Sequence, residues 1–429
     1  MTPTPEKWTL EKLQAACRDG AAIRRTARLQ PAGGPGDKVY PPTYEGAKYA
    51  KDDRIIDGAK VACVLLDSVQ SQANRMELAL LAAHRAQRIN VPVISVDFSK
   101  DITDVGVITS LEAPHRLADA ILRDSLLDGK RFRDSIVGKV LDTASVANAG
   151  GLFEYCPTAL VFGLWDSSGP LGGLGTKFAR VLVSEIVAVD VQEGVRPTSR
   201  IDPLNIQKDA GILYETNIRA EWTMDKSKAQ LDKGQKPIKV GKDGKPSEVL
   251  HGNIAPSLGK KNEPNHGGVT FDHARQTAVV SLPALRRLRF PNAGGVPSPA
   301  RDESAAARDE AAQTVLAALA LSAITLSVAQ GLDLRSRCLL VPEEGSVSTF
   351  ELIGVDGVVE RFSLTAAEAC DLLKASVALA TKQQLAWCAA GITLTPKPEF
   401  VALVKKSRER ELSSKAESAT ATATADAEA

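Results

Sequence analysis

VACVLLDSVQSQANRMELALL (61–81) reads as a buried strand running straight into a helix. Val61, Val64, Leu65 and Leu66 form an apolar run; Ser68, Gln70, Ser71 and Gln72 break it; Met76, Leu80 and Ala83 then recur at helical spacing. A helix opening at about Ser71 has free backbone N–H groups and a positive dipole end. Asn74 and Arg75 fall in its first turn, where a phosphate would be held. The same polar residues also serve as an ordinary helix start, and the elbow alone does not separate the two readings.

Upstream, residues 7–18 read as a short helix. Residues 21–54 are Gly/Pro-rich and basic, with Arg24, Arg25, Arg28, Lys38, Lys48 and Lys51 interleaved with Tyr40, Tyr44 and Tyr49. This pattern predicts a long loop or extended hairpin, and loops of that length in compact proteins are usually functional or disordered. Downstream, VPVISVDF (91–98) is a strand candidate, and 113–129 and 133–144 read as helices. TALVFGLWDS (158–167) and ARVLVSEIVAVDV (179–191) read as strands joined by the glycine-rich SGPLGGLGTK. Residues 192–275 are polar, rich in Lys, Gly, Pro and Asn, and read as a mobile hairpin or insertion with a D-G turn at 243–244. TAVVSLPALRRLRF (277–290) returns to a strand-like pattern. A helix over about 303–330, a strand at 338–342, a hairpin over 348–364 and a helix over 364–387 follow. The tail KAESATATATADAEA is low-complexity and expected to be disordered.

This order mixes strands and helices in the manner of an α+β, RRM-like or ferredoxin-like core with large insertions. Regular β-α alternation is lost after about residue 100, which disfavours a doubly wound sheet. The expected organisation is one palm domain over 1–405, carrying a finger-like basic loop (24–54), an insertion (192–275) and a helical and hairpin elaboration (300–390), then a disordered tail (406–429).

Lys plus Arg is 53 against Asp plus Glu at 52, so overall charge is silent about nucleic acid and local charge must be examined instead. Aromatics at 4% argue against an aromatic-stacking specialist. The six scattered cysteines contain no C-x-x-C pair, which fits a reducing cytosol and neither a zinc site nor a disulfide framework. The first residues lack the apolar core of a signal peptide. The Ala-rich stretch 311–331 suits a buried helix better than a membrane span.

SGPLGGLGTKFAR fails as a Walker loop because Gly175 is followed by Thr176 and only then Lys177. It is either a flexible hairpin loop or a backbone-rich loop lying against a nucleic-acid strand, with Lys177 and Arg180 on phosphates. The histidines do not converge on a metal site, and no nucleophile elbow, zincin or kinase signature appears. No catalytic residue, cofactor or metal is expected. What remains is a set of basic, flexible segments around a mixed core, which suits an extended polyanion such as single-stranded nucleic acid. Ordinary solvated loops have the same composition.

Four segments carry a family resemblance: RRTARLQPAGGPGDKVYPPTYEG, LLDSVQSQANRMEL, ALVFGLWDSSGPLGGLGTKFARVLVSEIVA and GVTFDHARQTAVVSLPALRRLRF. In that order they resemble the RAMP-type backbone subunit of type I-G (formerly I-U) CRISPR Cascade complexes. The resemblance implies an RRM-like palm with finger and thumb insertions. It also implies copies polymerised head to tail along one CRISPR RNA, which is presented for pairing with target DNA. Other Cascade subunits and a recruited nuclease–helicase would be partners, in the cytoplasm, with no membrane. On this resemblance Ser71, Gln72, Asn74 and Arg75 would bind guide phosphates. Arg24, Arg25, Arg28, Lys38 and Tyr40 would be finger contacts, and 192–250 the thumb, with Arg196 and Arg200 near its base. Related type III subunits cut RNA with a loop aspartate, for which Asp37 is the nominee here. An RNA-guided ribonuclease or a CRISPR RNA-processing subunit is therefore the alternative, although processing usually needs a general base such as His and none lies in the elbow or basic loop.

Overall fold

The computed structural model describes residues 6–167, 175–218, 220–258, 267–291, 303–344 and 349–410. The chain divides into two compact units, one of Met1–Glu193 with Gly268–Lys397, the other of Gly194–Gly267 with Pro398–Ala429.

In the first unit, helix α1 (Leu10–Asp19) is capped by the Thr9 hydroxyl and leads into strand β1 (Gly20–Pro31). A hairpin of β2 (Lys51–Ile56) and β3 (Ala59–Asp67) precedes α2 (Val69–Arg85). A short helix α3 (Thr158–Phe162) is followed by a two-residue ribbon, β4 (Leu164–Trp165) and β5 (Lys177–Phe178). Strand β6 (Leu182–Glu193) comes next. After the second unit, which contains β7 (Thr198–Arg200) and β8 (Ile254–Ser257), the chain returns in β9 (Val269–Ser281). It ends its core with α4 (Glu303–Ala329), β10 (Cys338–Pro342), the hairpin β11 (Phe350–Gly354) and β12 (Val359–Ser363), and α5 (Ala366–Lys382).

The main sheet runs β12-β11-β1-β9-β6-β3-β2, with Glu6–Lys7 beside β12 and β10 also on the edge of β1. Strands β1, β9 and β6 pair antiparallel, as do β1 with β10 and β11. Consequently β1 and β6 point the same way with β9 between them, and α2 lies between them in sequence. Likewise β9 and β10 point the same way with β1 between them, connected through α4. Two interlocked split β-α-β units give the β-α-β-β-α-β order of a ferredoxin-like core. The β2–β3 hairpin, inserted after β1, extends the sheet beyond β6. The fold is α+β, as the sequence pattern implied.

Alternation along β1 sets the two faces of the sheet. Ile23, Arg25, Ala27 and Leu29 point inward and Thr26 and Arg28 are exposed. Helix α4 packs against α1, α2 and α5. It is apolar on every side, and its residues 311–327 are all buried, so it satisfies the length and hydropathy of a membrane span while serving as the core helix of this unit. Thr365 and Glu368 close a capping box at the start of α5.

Several sequence expectations are corrected here. Residues 24–31, expected in a basic loop, form the central strand, because Ile23, Ala27 and Leu29 alternate with polar residues and fill the core. The rest of that segment is held against the sheet: Val39 and Val269 exchange backbone hydrogen bonds of 3.0 and 2.8 Å, and the Tyr49 hydroxyl accepts the Gly268 N–H at 3.1 Å. Gly268 has a φ of +77°, and a Cβ there would stand 2.8 Å from the Val39 carbonyl, so this approach requires glycine. The helices expected over 113–129 and 133–144 are broken into single turns and short strands, of which Ser125–Leu127 joins Ile94–Asp97 and Ile392–Pro396 in a second, small sheet. Residues 158–162 are helical rather than extended. The insertion is shorter than 192–275, because β6 runs to Glu193 and β9 begins at Val269. Residues 406–410, expected in the tail, lie in a helix over 398–410; the tail beyond them lies outside the described residues.

The second unit has a small core of Leu213, Tyr214 and Ile238. Asp202 organises it: its carboxylate accepts the Gly252 and Leu204 N–H groups at 2.6 and 3.1 Å, and its own N–H donates to the Asn253 side chain at 2.7 Å. These bonds hold the carboxyl below its usual range. The ribbon β7–β8 is exposed along almost its whole length, and Ile201, Leu204, Leu250, Ile254 and Leu258 lie open to solvent.

Candidate nucleic-acid interface

Helix α2 opens at Val69, two residues earlier than expected. Ser68 is its cap, and the Ser68 hydroxyl accepts the Ser71 N–H at 3.2 Å. The residue before the cap, Asp67, is fully buried, and its carboxylate accepts from Gln72 Nε2 at 2.6 Å and Arg75 Nε at 2.9 Å. The other guanidinium nitrogens of Arg75 donate to the carbonyls of Asp333 and Leu334. Arg335 reaches the second Asp67 oxygen at 3.5 Å.

Gln72 is also fully buried, at 0% exposure, and continues this network. Its Oε1 accepts from Ser184 Oγ and from Gln276 Nε2, while Gln276 Oε1 accepts from Arg25 Nη1 at 2.6 Å. Arg25 is 2% exposed, and burial pulls its guanidinium down to about 10. The network ties α2 to β1, β6 and β9 through the core. Gln72 and Arg25 are therefore corrected from phosphate contacts to buried fastenings. Arg75, half-buried, commits its donors to Asp67 and to backbone carbonyls. Asn74 is exposed and Ser71 half-buried on the same helix.

The outward face of the sheet is different. Arg28 and Arg275 stand directly opposite each other on β1 and β9, next to the Thr26–Thr277 and Arg24–Val279 pairs. Like charges in direct cross-strand register repel. Arg28 is offset by Glu343 at 2.8 Å and Asp272 at 3.4 Å, and Arg275 makes no ion pair among the described residues. Arg24 donates from Nε and Nη2 to Glu351, at 2.8 and 2.6 Å, and Arg361 shares that carboxylate at 3.4 Å. These hydrogen bonds hold Glu351 below its usual range. Across β3, Arg54 of β2 joins Glu185 of β6 at 2.7 Å. The Arg28 pairs are solvent-exposed, and such pairs are worth only about 0–1 kcal/mol, so a phosphate can take a carboxylate's place there at small cost. Arg275 was missed in the sequence because its cationic neighbour comes from a strand some 250 positions away in the chain, a pairing that spacing does not reveal.

The glycine-loop stem forms a second cationic surface. On β4–β5, Trp165 and Lys177 face each other, and the Lys177 ammonium lies 5.4 Å from the Trp165 ring centroid. Arg180 is exposed just beyond. The loop residues 168–174 lie outside the described residues. Tyr40 carries the Arg337 guanidinium over its ring at 4.7 Å, and Lys38 N–H donates to the Asp37 carboxylate at 2.9 Å in an exposed turn. Arg196 and Arg200 belong to the second unit. Thus Arg24 and Arg28 share the open sheet face, Lys177 and Arg180 share the stem, and the remaining nominees are dispersed.

All six cysteines are free, and among the described residues no cluster of His, Cys, Asp and Glu has the makings of a metal site. Burial raises Cys17 to about 12 and Cys338 to about 11, which makes both poor nucleophiles near neutrality. No curated protein matches the chain. Over residues 23–193, from the central strand β1 to the end of β6, the sequence is similar to the family model described as CRISPR-associated protein GSU0053 (Cas_GSU0053).

Proposed function

We propose that this chain is the RNA-binding backbone subunit of a type I-G Cascade complex. In this reading it polymerises along the CRISPR RNA and presents the guide to target DNA, and it has no catalytic role of its own. The observation that carries the proposal is the ferredoxin-like sheet with one open face holding Arg24, Arg28 and Arg275, in a chain matched to a CRISPR-associated family. Base pairing reads sequence in such assemblies, so the protein need only hold the backbone. The part of the second unit inserted between β6 and β9, with Ile201, Leu204, Leu250, Ile254 and Leu258 exposed, supports a role as the segment that separates stretches of guide. Further copies of the chain, other Cascade subunits and a recruited nuclease–helicase would complete the assembly.

Fluorescence anisotropy of labelled single-stranded RNA at several salt concentrations tests the binding step. The expected result is affinity with little base preference that falls linearly on a log–log salt plot. Affinity indifferent to salt would overturn it. Asp37, exposed beside Lys38, keeps the ribonuclease alternative testable: complementary RNA incubated with Mg²⁺ should remain intact, with wild type and Asp37→Ala alike.

A further inference from the structure

The β4–β5 stem is anchored with unusual thoroughness for a two-residue ribbon. Leu164 and Phe178 face each other on its inner side, and both are buried. Asp166, 2% exposed, takes two 2.6 Å contacts from Arg133 Nη2. Asp166 N–H donates to the Thr176 carbonyl at 2.9 Å, and the Thr176 hydroxyl donates to the Leu141 carbonyl at 2.6 Å. At its base, the Gly163 carbonyl accepts from Arg116, which forms a buried two-pronged pair with Glu77 of α2 at 2.7 and 2.8 Å. Each fastening lies on the inner side or base of the stem. The side chain displayed on the outer side is Trp165, 53% exposed, with Lys177 as its cross-strand neighbour.

A single exposed apolar residue needs no explanation. A tryptophan held rigidly in water beside a lysine has a specific use, because an indole face stacks on any nucleobase while the ammonium meets the adjoining phosphate. The ring costs little entropy to order when its backbone is already fixed. The geometry points to Trp165 as a stacking platform for one unpaired base of a single-stranded RNA, with Lys177 on the neighbouring phosphate. This inference rests on the RNA-binding reading and adds a base-contacting residue to it.

The test uses the full-length chain and labelled single-stranded oligouridylate and oligoadenylate. Trp165→Ala should lower affinity for both by about tenfold, a typical loss for one stacked base, without changing the salt slope. Trp165→Phe should recover most of that loss, and it also guards against a folding defect in the alanine variant. Lys177→Ala should instead lower the salt slope by roughly 0.7, the value of one single-strand phosphate contact. RNA should also quench the fluorescence that wild type has and Trp165→Phe lacks. If wild type binds RNA and Trp165→Ala binds equally well without quenching, the platform is overturned while the RNA-binding reading stands. Capture of a protein partner that depends on Trp165, with RNA affinity unchanged, overturns it too. If wild type binds no RNA, both fall.

Discussion

Gln72 of α2 accepts a 2.9 Å hydrogen bond from Gln276 of β9, and neither side chain is exposed to solvent. Gln72 lies in the polar elbow that the sequence offers for an anion, yet the elbow faces the protein's own core. Asp67, Arg25 and Ser184 join the network, which fixes how α2 sits on the sheet. Removing one member leaves others buried and unsatisfied, which costs about 1–3 kcal/mol. Gln72→Leu is expected to lower unfolding free energy by that amount in urea titrations. The salt slope of RNA binding should remain at its wild-type value.

Arg25 and Arg275 give the opposite pair of expectations, although both are arginines on central strands. Arg25→Met should destabilise the fold. Arg275→Ala should leave the thermal midpoint nearly unchanged, since Arg275 makes no ion pair among the described residues. It should weaken RNA binding without base preference and reduce the salt slope by roughly 0.7. Anisotropy titrations at three or more salt concentrations separate the two variants.

The large elements were legible in the sequence because their patterns are local. The 3.6-residue spacing of Met76, Leu80 and Ala83, the apolar run of α4 and the D-G hairpin of β11–β12 need no distant partner. The basic segment misled because composition outweighed alternation: Gly and Pro cluster after Pro31, while Ile23, Ala27 and Leu29 already mark a strand. The site was less legible than the fold. Arg24, Arg25 and Arg28 look alike in sequence, and only the register against Gln276, Glu351 and Arg275 sorts them into buried and exposed roles. The hairpin partner that pairs Lys177 with Trp165 is hidden by the glycine run between them.

The part of the second unit that lies between β6 and β9 should be removable. Glu193 and Val269 are register partners at the ends of adjacent antiparallel strands, so a short Asn-Gly turn can replace residues 194–268. The shortened protein is expected to fold with a single cooperative transition and to retain salt-dependent RNA binding at reduced affinity. Circular dichroism melts and the same anisotropy titration check both points.

Glu77 supplies a pH dependence. Burial pushes its carboxyl from an ordinary 4.5 up to about 7, against the opposing pull of Arg116. The folded chain thus holds a proton there that the unfolded chain has released. Its contribution is fully present below about pH 4.5 and is lost as pH rises to about 7. Glu77→Gln removes this titration, so the variant should gain stability relative to wild type across that interval and hold a constant difference above it. Urea midpoints measured from pH 4.5 to 8 report the trend.

The most direct test of the central claim is co-expression of the chain with a CRISPR array, followed by sizing chromatography and analysis of any bound RNA. A large species is expected, with absorbance dominated by nucleic acid, carrying RNA of one uniform length that derives from the array, and collapsing to protomers on RNase treatment. A nucleic-acid-free protomer, or a large species indifferent to RNase, would contradict the account.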